Sequence, residues 1–171
     1  MAEAAARPAA PVDPTKPLSV LVAGSWGPDA LMENPEGERV LAGLLAAGHQ
    51  VTARLHPMTT RHHPELAPGL RERFDGLVVE TDMRGRESLF TSDVMISDWS
   101  GASFDYAFGL GKPVVYVDMP RKINNDKYLD IGVEPVEVRL RSEIGGSVAR
   151  EDVDKIGSAV EHAAKAPGQA S

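Results

Sequence analysis

The stretch "SDVMISDWSGASFDYAFGLGKPVVYVD", residues 92–118, decides how this chain is read. An apolar run, Val94-Met95-Ile96, stops abruptly at Ser97-Asp98. Small polar residues follow. A helical pattern over 101–110 then carries Ala102, Phe104, Asp105, Ala107 and Phe108, with Gly109 and Gly111 around its end. Pro113 opens a second apolar run, Val114-Val115-Tyr116-Val117. A short, wholly apolar run bounded by turn residues fits a strand buried on both faces. Strand, helix and strand at this spacing make a parallel βαβ unit.

The same alternation extends outward in both directions. Residues 18–23 are a β-rich apolar run ending in Gly24-Ser25. Residues 36–47 place Val40, Leu41, Leu44 and Leu45 at helical spacing, with Gly48 as the stop. A strand is expected over 51–55, closed by His56-Pro57, then a short helix over 64–74 weakened by Pro68 and Gly69. A third strand is expected at 77–79, a short helix at 86–90 and a fourth strand at 93–97. Beyond the fifth strand, 119–132 reads as irregular and polar, 136–140 as a late strand, and 151–164 as a helix with Val153, Ile156, Val160 and Ala164 on one face. The expected fold is therefore α/β: a Rossmann-like parallel sheet with helices on both faces. One domain over 18–165 is expected, between a disordered leader (1–17) and a frayed tail (166–171).

Composition narrows the function. A chain of 171 residues, 42% hydrophobic, supports one domain with a core. No apolar run approaches the roughly 18–20 residues that cross a bilayer, and the Ala/Pro-rich start lacks the pattern of a signal peptide. The absence of cysteine removes disulfides and thiolate zinc sites and suits a cytoplasmic protein. A net charge of −7 argues against a nucleic-acid partner but leaves room for a small anionic ligand. His62-His63, beside Arg61 and without a spaced carboxylate motif, do not read as a metal site.

In an open parallel sheet, ligands lie beyond the carboxyl ends of the strands. Asp98 to Ser103 falls at such an end and opens a helix, whose first N–H groups lack internal partners and carry partial positive charge. Ser100 and Ser103 add hydroxyls, Gly101 and Ala102 add little bulk, and Asp105 sits one turn further in, placed to accept from a ribose diol. The same residues can instead be an ordinary N-cap with small-residue packing. The stretch is neither a Walker motif nor G-x-G-x-x-G.

Residues 92–118 resemble the motif of the CDP-glycerol glycerophosphotransferases, the teichoic-acid polymerase family: an apolar strand, D-Y-S-S-x-x-F-D, then L-x-K-P and another strand. "LHP" at 55–57 resembles that family's His-Pro, and "AGSWG" at 23–27 its A-P-T-W-R, in the same order and spacing. The resemblance covers about residues 18–130. It implies the nucleotide-binding C-terminal half of a GT-B fold, with CDP-glycerol as donor, glycerol phosphate passing to a polymer and CMP leaving. No metal or cofactor is implied. Cell-wall teichoic-acid synthesis at the inner face of the membrane, reached through a partner, is the implied setting.

Carried over residue by residue, the resemblance implies that Ser100 contacts phosphate by its side chain and Gly101 by its backbone, with Ala102 and Ser103 completing the cradle. It implies Asp105 on the ribose and His56 as the catalytic group, stabilising the leaving phosphate or moving a proton. Ser25 and Trp26 line the first loop. Thr81, Asp82 and Met83, after the third strand, are expected to read the base, with Arg84 and Arg86 near phosphate and Arg121 and Lys122 on the rim. Three departures stand out: Gly27 replaces the arginine after the first-loop Trp, Gly101 replaces the second serine, and the N-terminal half of the fold is not in this chain. Three functions therefore stay open: a CDP-glycerol transferase domain completed by a separate acceptor-binding domain or protein, a UDP-sugar glycosyltransferase or epimerase-like domain, and a non-catalytic nucleotide-binding or scaffold module. A homo-oligomer is compatible with each.

Overall fold

The computed structural model describes residues 13, 16–82, 84–121 and 136–165. Among the described residues six strands form one sheet: β1 (Ser19–Val22), β2 (Gln50–Arg54), β3 (Val78–Glu80), β4 (Val94–Ser97), β5 (Val114–Asp118) and β6 (Gly145–Ala149). Every pairing is parallel, in the order β3-β2-β1-β4-β5-β6. Val20 is opposite Val51 on one side and Val94 on the other, and Ile96 is opposite Val115. Strand order reverses between β1 and β4, so the ends of these two strands flank the one crevice that parallel connectivity opens.

Period-two alternation divides the apolar residues between two layers. Val20, Val22, Val94, Ile96, Val115 and Val117 face a large core with α1 (Pro35–Ala46), α3 (Leu66–Arg73) and α7 (Ile156–Lys165), through Val40, Leu41, Leu44, Leu70, Ile156 and Val160. Leu21, Met95, Val114 and Tyr116 face a smaller layer with Tyr106, Ala107 and Ile144. That layer comes from the helical stretch after β4 (α5, Ala102–Phe104, continuing as a π-helical segment over Asp105–Gly109) and from α6 (Val136–Ile144).

Three local expectations are corrected. Residues 136–140 form the start of α6 rather than a strand; the Val-Glu-Val-Arg-Leu alternation is overridden by packing, because Arg141 and Ile144, three apart on one helix, both reach the sheet. The sixth strand is instead Gly145–Ala149, poor in β-formers. Gly145 is required there because a Cβ would strike the carbonyl of Val114 on the neighbouring strand. Finally, His56-Pro57 does more than close β2. It starts a further helix, α2 (Pro57–His62), with Pro57 in its first turn and the His56 side chain accepting from Met58 N at 3.1 Å. The expected leader and tail lie almost wholly outside the described residues.

Candidate functional site

The crevice is built by the loop after β1, the start of α2 and the turn after β4. Asp98, leaving β4, is 1% exposed and ties two of these together. Its carboxylate accepts from Ser25 N at 2.6 Å, Ser25 Oγ at 3.0 Å and Leu31 N at 2.8 Å. Gly24 leaves room for it: a Cβ there would lie 3.2 Å from Oδ2. Ser97 Oγ adds a bond to Ala23 O at 2.8 Å. Asp98 is therefore a cross-strand tie rather than a helix cap, and Ser25, having given its hydroxyl proton to Asp98, offers a ligand only its lone pairs.

A second carboxylate holds the far side of the first loop. Glu33 accepts from Gly27 N at 3.1 Å and from Thr59 Oγ1, on α2, at 2.6 Å, with His63 Nε2 at 3.4 Å. Gly27 has φ 110°, a conformation that an arginine at this position resists. The departure at residue 27 thus has a backbone cause. Between these ties Trp26 stacks on His56, with ring centroids 6.0 Å apart and planes at 25°, and takes the edge of His62 at 6.0 Å. Tertiary structure therefore brings together Ser25, Trp26 and His56, from two separate segments, beside the turn after β4.

The turn itself differs from the expected cradle. Ala102 N bonds Ser100 Oγ at 3.4 Å and Ser103 N bonds Ser100 O at 3.3 Å, so both amides are engaged locally. The Ser103 side chain is fully buried. Its hydroxyl donates to Ser100 O at 2.8 Å and accepts from Tyr116 OH at 3.1 Å. Ser103 is a scaffold of the turn, which corrects its expected contact with phosphate, and Ala102 has no amide to offer. Among the described residues the amides of Ser100 and Gly101 have no acceptor. Ser100 keeps a hydroxyl proton to give, and Gly101 is exposed with open space where a Cβ would stand. Asp105 is exposed at the start of the π segment, a helix irregularity that recurs at functional sites.

Thr81 and Asp82 are exposed beyond β3, at the sheet edge; Met83 lies outside the described residues. Three strand spacings, about 14 Å, separate β3 from β4, a span that an extended nucleotide covers. Asp82 Oδ1 accepts from Arg84 N at 2.9 Å and Arg84 Nε at 3.3 Å, which turns the Arg84 charge toward its own loop. The neck of this loop is closed by a triangle: Arg54 Nη1 to Glu80 Oε2 at 2.8 Å, Ser88 Oγ to the same oxygen at 2.7 Å, and Arg54 Nη1 to Ser88 Oγ at 3.3 Å. Arg86 is exposed, Arg121 lies 5.9 Å from the Trp99 ring, and Lys122 is outside the described residues.

Sequence reasoning passed over Glu33, Tyr116 and Lys112. Lys112, the lysine of the L-x-K-P pattern, donates to Phe90 O at 2.5 Å and Ser92 O at 2.7 Å, where the Tyr106 hydroxyl also donates at 3.0 Å. This cluster caps α4 (Glu87–Thr91) at the start of β4, the end of the sheet away from the crevice. Burial lowers the Lys112 pKa and raises that of Tyr106. The lysine is thus structural, a role that pattern alone does not separate from phosphate binding.

An all-parallel sheet of this order, with a polar crevice at its switch point, defines a Rossmann-like domain of the GT-B type. Residues 36–132, more than half of the chain, match the CDP-Glycerol:Poly(glycerophosphate) glycerophosphotransferase family. The chain belongs to that family. Among solved structures it resembles MurG of Acinetobacter baumannii (TM-score 0.54, 13% identity, covering 88% of this chain and 44% of that one). It also resembles a putative UDP-N-acetylglucosamine 2-epimerase from Listeria monocytogenes (TM-score 0.51, 12% identity, 90% and 41%). The chain thus spans less than half the length of either. No curated protein matches it. Among the described residues, no helix is long and apolar enough to cross a membrane.

Proposed function

We propose that this domain binds a CDP-alcohol, CDP-glycerol in the first instance, and forms the donor half of a glycerophosphotransferase. The reading is supported by one observation: three segments that resemble the family pattern, separated by dozens of residues, lie together at the carboxyl ends of β1, β2 and β4. Ser100 and Gly101 would receive the diphosphate through two amides and one hydroxyl, Asp105 the ribose, and the loop at Thr81 and Asp82 the base. His56, whose Nδ1 accepts from Met58 N, carries the proton of its neutral ring on Nε2, the nitrogen from which it would donate a hydrogen bond to the phosphate of the leaving CMP. The acceptor polymer and a second catalytic group would come from a further domain or a partner, which would also bring the domain to the cytoplasmic face of the membrane.

Calorimetry with CDP, UDP, GDP and CDP-glycerol tests this. CDP-selective binding supports the proposal. UDP selectivity favours a nucleotide-sugar enzyme, a reading in line with the name of one structural neighbour, the putative UDP-N-acetylglucosamine 2-epimerase. No binding at millimolar ligand favours a non-catalytic module, in line with Gly27 and Gly101 standing where the family has polar side chains.

A further inference from the structure

Behind the crevice turn lies a cation that the sequence did not single out. Arg141, on α6, is 8% exposed. Its guanidinium carbon sits 3.9 Å from the centre of the Trp99 ring and 4.4 Å from that of Tyr116, so the group is held by two aromatic rings. Nη2 donates to Asp118 Oδ1 at 3.1 Å and, weakly, to Val117 O at 3.4 Å, while the buried Nε has no acceptor among the described residues. Trp99 belongs to the turn, and Tyr116, on β5, supports it. Trp99 lies between Asp98 and Ser100 and is pinned by Nε1 to Met119 O at 2.8 Å. Tyr116 supports Ser103, which supports Ser100.

Burying an incompletely bonded cation is costly, and stacking on two rings offsets only part of that cost. A methionine or leucine would fill the same slot without it, so packing alone does not account for a charge. Electrostatics does. The crevice floor holds the buried Asp98 carboxylate, in a chain of net charge −7. Position 27 supplies no arginine, and Arg84 is turned toward Asp82. Burial lowers the Arg141 pKa, and its ion-pair partner Asp118 raises it; the ring it stacks on at 3.9 Å, Trp99, directly follows Asp98 in the chain. Even lowered, an arginine stays protonated.

We propose that Arg141 is the charge-balancing positioning residue of the crevice: clamped between Trp99 and Tyr116, it offsets the Asp98 carboxylate and fixes the turn, so that a diphosphate settles at Ser100–Gly101. The inference rests on the nucleotide reading above. Its test is calorimetric titration of the full chain with CDP and with uncharged cytidine, for wild type, Arg141→Met and Arg141→Lys. The expected result is a loss of about tenfold or more in CDP affinity for Arg141→Met, as for one uncompensated charge in a partly shielded site, with cytidine affinity unchanged. Arg141→Lys should bind CDP within about threefold of wild type. Wild-type binding of CDP with Arg141→Met within twofold of it, or equal losses for CDP and cytidine, overturns the inference and leaves the nucleotide reading standing. Should Arg141→Met not fold, Arg141→Lys decides: a tenfold loss despite the retained charge refutes charge balance. A wild type that binds neither CDP nor UDP nor cytidine at millimolar ligand overturns the nucleotide reading, and this inference with it.

Discussion

Replacing Asp98 probes the central tie of the crevice. The carboxylate accepts three hydrogen bonds, two of them from backbone amides at 2.6 and 2.8 Å. Bonds to a charged acceptor contribute about 1.5–3 kcal/mol each, and a buried donor left unpaired costs about 1–3 kcal/mol. Leu31 is fully buried, so water does not replace its lost acceptor, whereas Ser25 is half-buried and rehydrates in part. Asp98→Ala should therefore cost about 3–4 kcal/mol, a large share of the 5–15 kcal/mol that holds a domain of this size. Asp98→Asn keeps the shape but turns an amino group on one of the two amides, and should cost about 2 kcal/mol. Urea unfolding at 25 °C measures both as a shift in midpoint at constant slope. Asp98 is too buried to touch a ligand. Any loss of CDP affinity in the Asn variant thus reports a displaced first loop. A midpoint shift worth less than about 0.5 kcal/mol for Asp98→Asn would refute the tie.

Other substitutions separate scaffold from site. Gly101→Ser restores the hydroxyl of the family pattern at φ −61°, in open space; it should gain up to about 1 kcal/mol in stability and tighten CDP binding, both read by calorimetry, and a loss of stability would show that the position is not open. Lys112→Met should cost about 1–2 kcal/mol by removing the cap on α4 while CDP affinity stays within twofold; a selective loss of affinity would return Lys112 to the site. Alkaline stability should fall above about pH 10, because burial raises the pKa of Tyr106 and Tyr116, so that the unfolded chain loses protons there that the folded one keeps. Lys112, lowered by burial, acts oppositely just below its ordinary pKa, where stability gains with rising pH. Tyr106→Phe should flatten the alkaline limb of a Tm–pH curve; an unchanged limb would mean that the ring does not keep its proton. In acid, the Arg150 hydrogen bond holds Glu36 below its ordinary pKa. Its stabilisation should fade as pH drops through that lowered value, and Glu36→Gln should make the acid limb shallower.

Local chemistry made part of this protein legible in advance. Val20-Leu21-Val22, Val94-Met95-Ile96 and Val114-Val115-Tyr116-Val117 are apolar on both faces, and only a strand covered on both sides uses such runs, so a parallel sheet follows from them. Residues 136–149 misled because Val-Glu-Val-Arg-Leu alternates like a strand while Gly-Gly-Ser-Val-Ala looks like a loop. The contact of Arg141 and Ile144 with the sheet, and the close approach of Gly145 to Val114, are long-range facts that no local pattern encodes. The site divides in the same way. Ser100, Gly101 and Asp105 were placed by the end of a strand and the start of a helix. Nothing local showed that the Ser103 hydroxyl is engaged by Tyr116, or that Asp98 reaches Ser25 and Leu31 more than sixty residues away.

By itself the sequence determined the layers, the parallel sheet and the segments that border its carboxyl edge, since burial periodicity and turn chemistry act over a few residues. Tertiary structure alone decided which hydroxyls and amides are left for a ligand, that the motif lysine serves as a cap, and that an arginine from a distant helix stands behind the turn. Hydrogen-bond partners and charge balance are set by approach in space, and the order of residues along the chain does not specify them.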